Sequence, residues 1–157
     1  MSDSGKGKNM VSNTSFESLI EGEDREITVL ANAASYINMV TEDVSWVGFY
    51  LKGEDESLYL GPFQGKPACT YIKFGKGVCG TAASEKKTQV VPDVFEFPGY
   101  IACDAAARSE IVVPMLKNDG SVYGVLDIDS DSKDRFLPGC EGEFEEYVRI
   151  LMKRLDK

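Results

Sequence analysis

Glu110-Ile111-Val112-Val113-Pro114-Met115-Leu116-Lys117-Asn118-Asp119-Gly120-Ser121-Val122-Tyr123-Gly124-Val125-Leu126-Asp127-Ile128-Asp129 is the stretch that decides the fold. Two runs rich in β-branched residues, Glu110 to Lys117 and Ser121 to Asp129, flank Asn118-Asp119-Gly120, and that pattern predicts an antiparallel hairpin. Strand alternation puts Asp127 and Asp129 on the face that also carries Tyr123 and Val125. Glu110 opens the partner strand at the end the two aspartates occupy, so three acids can converge. Either these are solvated strand ends, or they are an inward-facing negative pocket that needs a cation or shared protons to compensate it.

The rest of the chain gives this hairpin a sheet to join and helices to cover it. Val44-Ser45-Trp46-Val47-Gly48-Phe49-Tyr50-Leu51 is apolar on both faces and reads as a central strand covered on both sides. The polar turn Lys52 to Ser57 leads into a second strand, Leu58 to Gly61. Upstream, Thr14-Ser15-Phe16-Glu17 has the spacing of a helix-capping pair, following a polar arm over residues 1–11 read as disordered. From Asp24 to about Val40, the apolar positions Ile27, Leu30, Ala31, Ala34 and Ile37 recur at helical spacing. Downstream, Gly75 to Ser84 is a glycine-rich entry into a short helix and Thr88 to Val91 a short strand stopped by Pro92. Residues 92–107 form a long loop, and a final helix carries Phe144, Val148, Leu151 and Leu155 on one stripe. This order predicts a single α+β domain over residues 12–157, an antiparallel sheet with helices packed on it.

Composition narrows the function classes. The chain has 157 residues, 43% of them hydrophobic, and 26 acidic against 17 basic residues give a formal charge of −9. Such a charge repels polyphosphate and argues against a nucleic-acid partner. No apolar run reaches the roughly 18 residues of a membrane span, and the polar N-terminus has no signal-peptide pattern, so the chain reads as cytoplasmic. In that compartment its four cysteines are more readily free or catalytic than a permanent disulfide framework. The chain has no histidine, which rules out a Cys-His pair and removes the usual nitrogen ligand of zinc sites. Any proton must come from a carboxylate, tyrosine, lysine or water. No metal and no cofactor is expected.

Four further residues are candidates for chemistry or binding. Cys79 lies beside the start of the glycine-rich helix, where the macrodipole favours a thiolate. Cys103 sits in the long loop with Arg108 as a nearby cation and Asp104 opposing it. For any one of these cysteines taken alone, packing in a core as a small hydrophobe is the favoured reading; Cys140, at the start of the last helix, is incidental. Trp46 and Tyr50 share a strand face and either wall a ligand pocket or fill the core. The run Gly75 to Gly80 lacks the residue order of a phosphate-binding loop.

Five segments together resemble the free methionine-(R)-sulfoxide reductases, enzymes built on a single GAF domain. They are Trp46-Val47-Gly48-Phe49-Tyr50, Leu60-Gly61-Pro62-Phe63-Gln64-Gly65, Gly75 to Ala82, Ile101-Ala102-Cys103-Asp104-Ala105-Ala106 and Ser109 to Pro114. The resemblance runs from about Asp24 to the last helix. It implies a GAF-like fold and thiol reduction of free methionine-(R)-sulfoxide, with Cys103 as nucleophile, Cys69 as resolving thiol and Cys79 as an accessory thiol. It further implies that Glu110, Asp127 and Asp129 bind substrate between the walls Trp46 and Tyr50, that a thioredoxin-like protein reduces the Cys69–Cys103 disulfide, and that a homodimer could form through the terminal helices. The family commonly has His before Ile-Ala-Cys; here Tyr100 stands there, and a phenol, neutral at pH 7, cannot replace an imidazole base. The rival expectation is a GAF sensor module that binds a small molecule or senses redox state without turnover.

Overall fold

A computed structural model describes residues 15–156; the arm at residues 1–11 and the Thr14 half of the capping pair lie outside them. Six strands form one sheet: β1 (Trp46–Lys52), β2 (Ser57–Gln64), β3 (Tyr71–Lys73), β4 (Gln89–Val91), β5 (Ser109–Leu116) and β6 (Val122–Ser130). Their order is β3-β2-β1-β6-β5-β4, with every neighbouring pair antiparallel. The helical residues 15–20 (α1), α2 (Glu26–Val40) and α4 (Glu141–Leu155) cover one face. The other face carries α3 (Gly77–Glu85) and the long loop. The α+β reading therefore holds.

β1 shows why the sheet carries two cores. Val47 and Phe49 pack toward α2 and α4, whereas Trp46 and Tyr50 pack toward α3. A strand apolar on both faces can only sit in the middle of a sheet covered on both sides. β5 follows the same alternation, with Ile111, Val113 and Met115 on the helical-layer side and Val112 on the α3 side. Pro114 is tolerated inside β5 because β4 pairs only as far as Val112, so the outer side of the strand at Pro114 has no ladder partner to miss an N–H.

The predicted hairpin forms, with one correction. The Asn118-Asp119-Gly120 turn is closed by bonds of 2.9 Å from the Lys117 amide to the Ser121 carbonyl and from the Gly120 amide to the Lys117 carbonyl, and Gly120 takes a positive φ of 87°. Asp119 accepts from both the amide and the hydroxyl of Ser121. The register then shifts, Leu116 facing Val122 but Met115 facing Gly124. That bulge inserts Tyr123 as an extra residue and resets the alternation. Tyr123 consequently packs toward the α2/α4 core, where its hydroxyl donates to Glu26, and not on the face of Val125, Asp127 and Asp129.

Two smaller differences have similar causes. A bulge opposite Phe49 carries β2 past Pro62 to Gln64, beyond the expected Gly61. On α2 the buried stripe is Val29, Leu30, Ala33, Ala34 and Ile37. Ile27, expected in it, is 71% exposed at the first turn, and Ala31 is exposed too. The stripe is turned because the Val29-Ala33-Ile37 ridge, with a small residue at its centre, faces the sheet.

Candidate active site

The acids come together because of register. Glu110 on β5 stands directly opposite Asp129 on β6, Val112 opposite Asp127, and β1 closes the other side with Trp46 opposite Asp129 and Gly48 opposite Asp127. All three side chains point to the α3 side of a central, covered part of the sheet. Glu110 is 6%, Asp127 5% and Asp129 7% exposed, so the solvated-surface alternative is excluded. One oxygen of Asp127 and one of Asp129 are buried with no hydrogen-bond partner among the described residues.

Like charges directly opposed across a ladder are destabilising, and burial in low dielectric adds a cost to each charge. Burial pushes the carboxyls of Glu110 and Asp129 well above the ordinary range; Asp127 pushes both the same way, while hydrogen bonding to Glu110 opposes the shift at Asp129. Asp127 is raised as well, through burial, but hydrogen bonding to Glu110, Asp129 and Cys79 opposes the shift. Burial therefore biases the cluster toward retaining protons.

Cys79 faces this cluster from α3. Gly77, at φ 64°, allows the tight entry from β3 into the helix, and a Cβ on Gly80 would lie 2.4 Å from the Lys73 carbonyl oxygen. Glycines at these places let α3 start against β3 and turn Cys79 inward. The expectation of a thiolate at Cys79 is overturned. Burial, then Asp127 and Glu110, raise its thiol well above the ordinary value. A helix dipole is worth about 0.3–1 kcal/mol and at most ~2, whereas full burial shifts a pKa by up to about 3–5 units, roughly 4–7 kcal/mol.

The long loop brings Cys103 over the acids. Asp93 caps the short turn Val94–Glu96 through the Phe95 amide, Val94 donates to the Arg108 carbonyl, and Arg108 donates to Ser130, which ties both loop ends to the sheet. Between these anchors, Ile101 lies against Gly77 and Cys103 is joined to Cys69 by a disulfide, with the two Cα atoms 5.3 Å apart. The guanidinium of Arg108 sits 5.1 Å over the Phe95 ring, and its Nε is buried without a hydrogen-bond partner among the described residues. Arg108 is not among the residues lining the cavity beneath Cys103.

That cavity, of about 30 Å³, is lined by Glu110, Asp127, Asp129, Cys79, Cys103 and Tyr50, with Ile72, Gly77, Val78, Tyr100, Ile101 and Asp104 completing it. Cys69 is outside the lining, so only one end of the disulfide faces the acids. Trp46 is also outside: it stacks on Tyr50 at 5.9 Å and on Phe63 at 5.2 Å, and its indole donates to the Lys66 carbonyl. It supports the wall that Tyr50 forms. The phenols of Tyr50 and Tyr100 are both raised, by burial first and by the carboxylates second, so both are neutral donors. Sequence reasoning missed Ile72 and Ile101, and it took Asp104 only as a charge beside Cys103; for Ile101 the signal was Gly77, which leaves the space that the isoleucine occupies. Cys140 is half-buried at the start of α4, packed against the α2/α4 core and away from this site.

A wider groove of about 950 Å³ lies between α4, β5 and the end of α3. Its lining mixes Lys86, Lys87 and Lys153 with Glu141 and Glu145, and it contains neither a cysteine nor a buried acid. No helix among the described residues is long and apolar enough to cross a membrane.

Comparison with known proteins agrees with this geometry. The GAF domain model matches residues 26–152. The chain is 53% identical over 149 residues to free methionine-R-sulfoxide reductase of Saccharomyces cerevisiae, covering 91% of this chain and 81% of that one. It is 45% identical over 145 residues to the Escherichia coli enzyme of the same name, covering 92% and 84%. Among solved structures, free methionine-R-sulfoxide reductase from Neisseria meningitidis in complex with its substrate superposes with a TM-score of 0.88 at 41% identity, covering 93% of this chain and 87% of that one. With its central antiparallel sheet, its buried acid cluster and these relatives, the chain belongs to the GAF-domain family of free methionine-(R)-sulfoxide reductases.

Proposed function

We propose that this protein reduces free methionine-(R)-sulfoxide to methionine by thiol chemistry at Cys103. The observation that carries the reading is the Cys69–Cys103 disulfide closing over a buried cluster of three carboxyls, with only Cys103 facing them. The Cys103 thiolate attacks the sulfoxide sulfur while a protonated carboxyl of the cluster gives its proton to the departing oxygen. The hydroxyl oxygen passes from the methionine sulfur to Cys103 Sγ as the bond between the two sulfurs breaks, so methionine leaves and Cys103 is a sulfenic acid. The Cys69 thiol then displaces water from it, forming the disulfide, and an external dithiol of the thioredoxin type restores both thiols by exchange. In a reducing cytoplasm that disulfide is a turnover state and not a structural staple.

The same acids explain selection for the free amino acid. Its ammonium compensates buried negative charge, and a residue inside a peptide has no such group. A cavity of about 30 Å³ in the disulfide form is one water's share of liquid volume, roughly a tenth of the smallest usual ligand pockets. The oxidised loop therefore excludes the amino acid, and reduction has to free Cys103 and Ile101 before substrate enters. The test is methionine formation from separate R and S sulfoxides, free and peptide-bound, with thioredoxin recycling. Turnover of the free R form alone is expected. Binding of the free sulfoxide without any turnover would instead make the chain a GAF sensor.

Two variants probe the parts. Cys69→Ser is expected to release one equivalent of methionine per chain at an undiminished first-turnover rate, while steady-state recycling by thioredoxin falls at least tenfold. Loss of the first equivalent, with circular dichroism unchanged, would remove the resolving role. Tyr100→Phe is expected to keep kcat/KM within about threefold across neutral pH, since the carboxyls supply the protons. A hundredfold fall, about 2.7 kcal/mol, would make the hydroxyl a donor in the reaction.

A further inference from the structure

Cys79 has no step in this chemistry, yet it is buried against the acids. Its Sγ and one oxygen each from Glu110 and Asp127 lie within 4.8 Å of one another, all three residues being at least nine-tenths buried. Asp129, 7% exposed, lines the same cavity, and its Oδ1 has no hydrogen-bond partner among the described residues; nor has the Oδ1 of Asp127. No lysine or arginine lines the cavity. With Asp104, which lines it too, five potentially anionic groups thus surround a space too small for an amino acid, and none of them is met there by a cationic side chain.

We propose that this cavity is a binding site for a thiophilic divalent cation, zinc in particular, held by Cys79 Sγ, Glu110 and Asp127, and that a cation retained there once the disulfide is opened competes with the substrate. The donor set selects the ion. Magnesium needs six oxygen ligands in near-ideal octahedral geometry and calcium six to eight, whereas zinc takes four and accepts thiolate and carboxylate together. A cavity of about 30 Å³ has room for an ion with one water, which would complete a tetrahedral set. Zinc bonds of 2.0–2.3 Å place neighbouring ligand atoms about 3.5 Å apart, so donors already within 4.8 Å of one another need close in by no more than about an ångström. The free Asp129 oxygen can accept from the zinc-bound water, the outer contact that commonly orients such sites. Metal binding itself is independent of the function proposed above; only the exclusion of substrate rests on it.

Cadmium is the probe for the thiolate ligand, because a cadmium-sulfur bond gives an ultraviolet charge-transfer band. In the oxidised full chain carrying Cys140→Ser, Cys79 is the remaining free thiol outside the disulfide. One cadmium per chain with that band is expected, together with its loss in Cys79→Ala. Zinc affinity, measured calorimetrically on proteins of unchanged circular dichroism, is expected to fall at least tenfold in Glu110→Gln and in Asp127→Asn, where Cys79 is intact. Persistence of the band in Cys79→Ala, or zinc affinity indifferent to both carboxamide variants, would overturn the site. For exclusion, the Cys69→Ser/Cys103→Ser protein cannot turn over, and zinc is expected to raise its apparent Kd for methionine-(R)-sulfoxide in proportion to zinc concentration. Simultaneous binding of both would overturn exclusion. Zinc binding at Cys79 with no sulfoxide binding at all would leave the metal site standing and count against the proposed substrate.

Discussion

Cys103→Ser is expected to release no methionine from free methionine-(R)-sulfoxide even in a single turnover, its rate falling by at least about a thousandfold, or ~4 kcal/mol in activation free energy. The geometry makes this the steepest loss. Of the four cysteines, two line the cavity with the acids, Cys103 and Cys79. Burial and the three neighbouring acids raise the Cys79 thiol well above its ordinary value, and a protonated thiol is a poor nucleophile. Cys69 lies outside the lining, and Cys140 is on the other core. With Cys103 gone, no competent sulfur faces the bound sulfoxide, so the loss should not be rescued by excess reductant. Quenched-flow detection of methionine with the pre-reduced variant is the measurement. One equivalent per chain at the wild-type rate would show that Cys79 attacks first, and it would reverse the roles argued above.

The sequence made the sheet legible wherever one residue had one neighbourhood to satisfy. Val44 to Leu51 could be read as central because both faces were apolar, and Asn118-Asp119-Gly120 could be read as a turn because its residues favour that backbone. The three acids were legible as a convergent set from strand parity alone. Parity failed at Tyr123, because a bulge is set by the partner strand and leaves no mark in its own residues. It failed again for Ile27, whose spacing suits the helix but whose position lies beyond what the sheet covers. The burial of the acids could not be read locally. It depends on α3 and on the loop that Cys103 ties down, elements distant in sequence, and until they are placed a solvated strand end and a closed pocket look alike. For the same reason Cys79 was read from its helix alone, and the dipole was overvalued against a desolvation that only packing creates.

The second large effect is expected from the acids, and it should separate activity from stability. Asp129→Asn keeps the side-chain shape but removes a charge and a proton donor, and Asp127→Asn does the same two residues along the strand. Each is expected to lower kcat/KM by roughly ten- to hundredfold, corresponding to about 1.5–3 kcal/mol for a hydrogen bond to a charged group. Stability should move the other way. Glu110 and Asp129 have folded-state pKa values raised well above their ordinary ones, so between about pH 4, where the unfolded groups titrate, and the raised values, the folded chain holds more protons than the unfolded one. Stability is thus greatest at and below the lower limit and declines as pH rises through that window. Removing one carboxyl from the facing pair removes part of the decline, so Asp129→Asn should gain on the order of 0.5–2 kcal/mol over the parent at pH 8 and little at pH 4. The parent's kcat/KM should also fall on the alkaline side as the donor loses its proton. Urea unfolding at the two pH values, beside a pH–rate profile, measures both halves. A variant that loses stability at pH 8 in step with its activity would mean that Asp129 is a structural acid whose charge the fold already compensates.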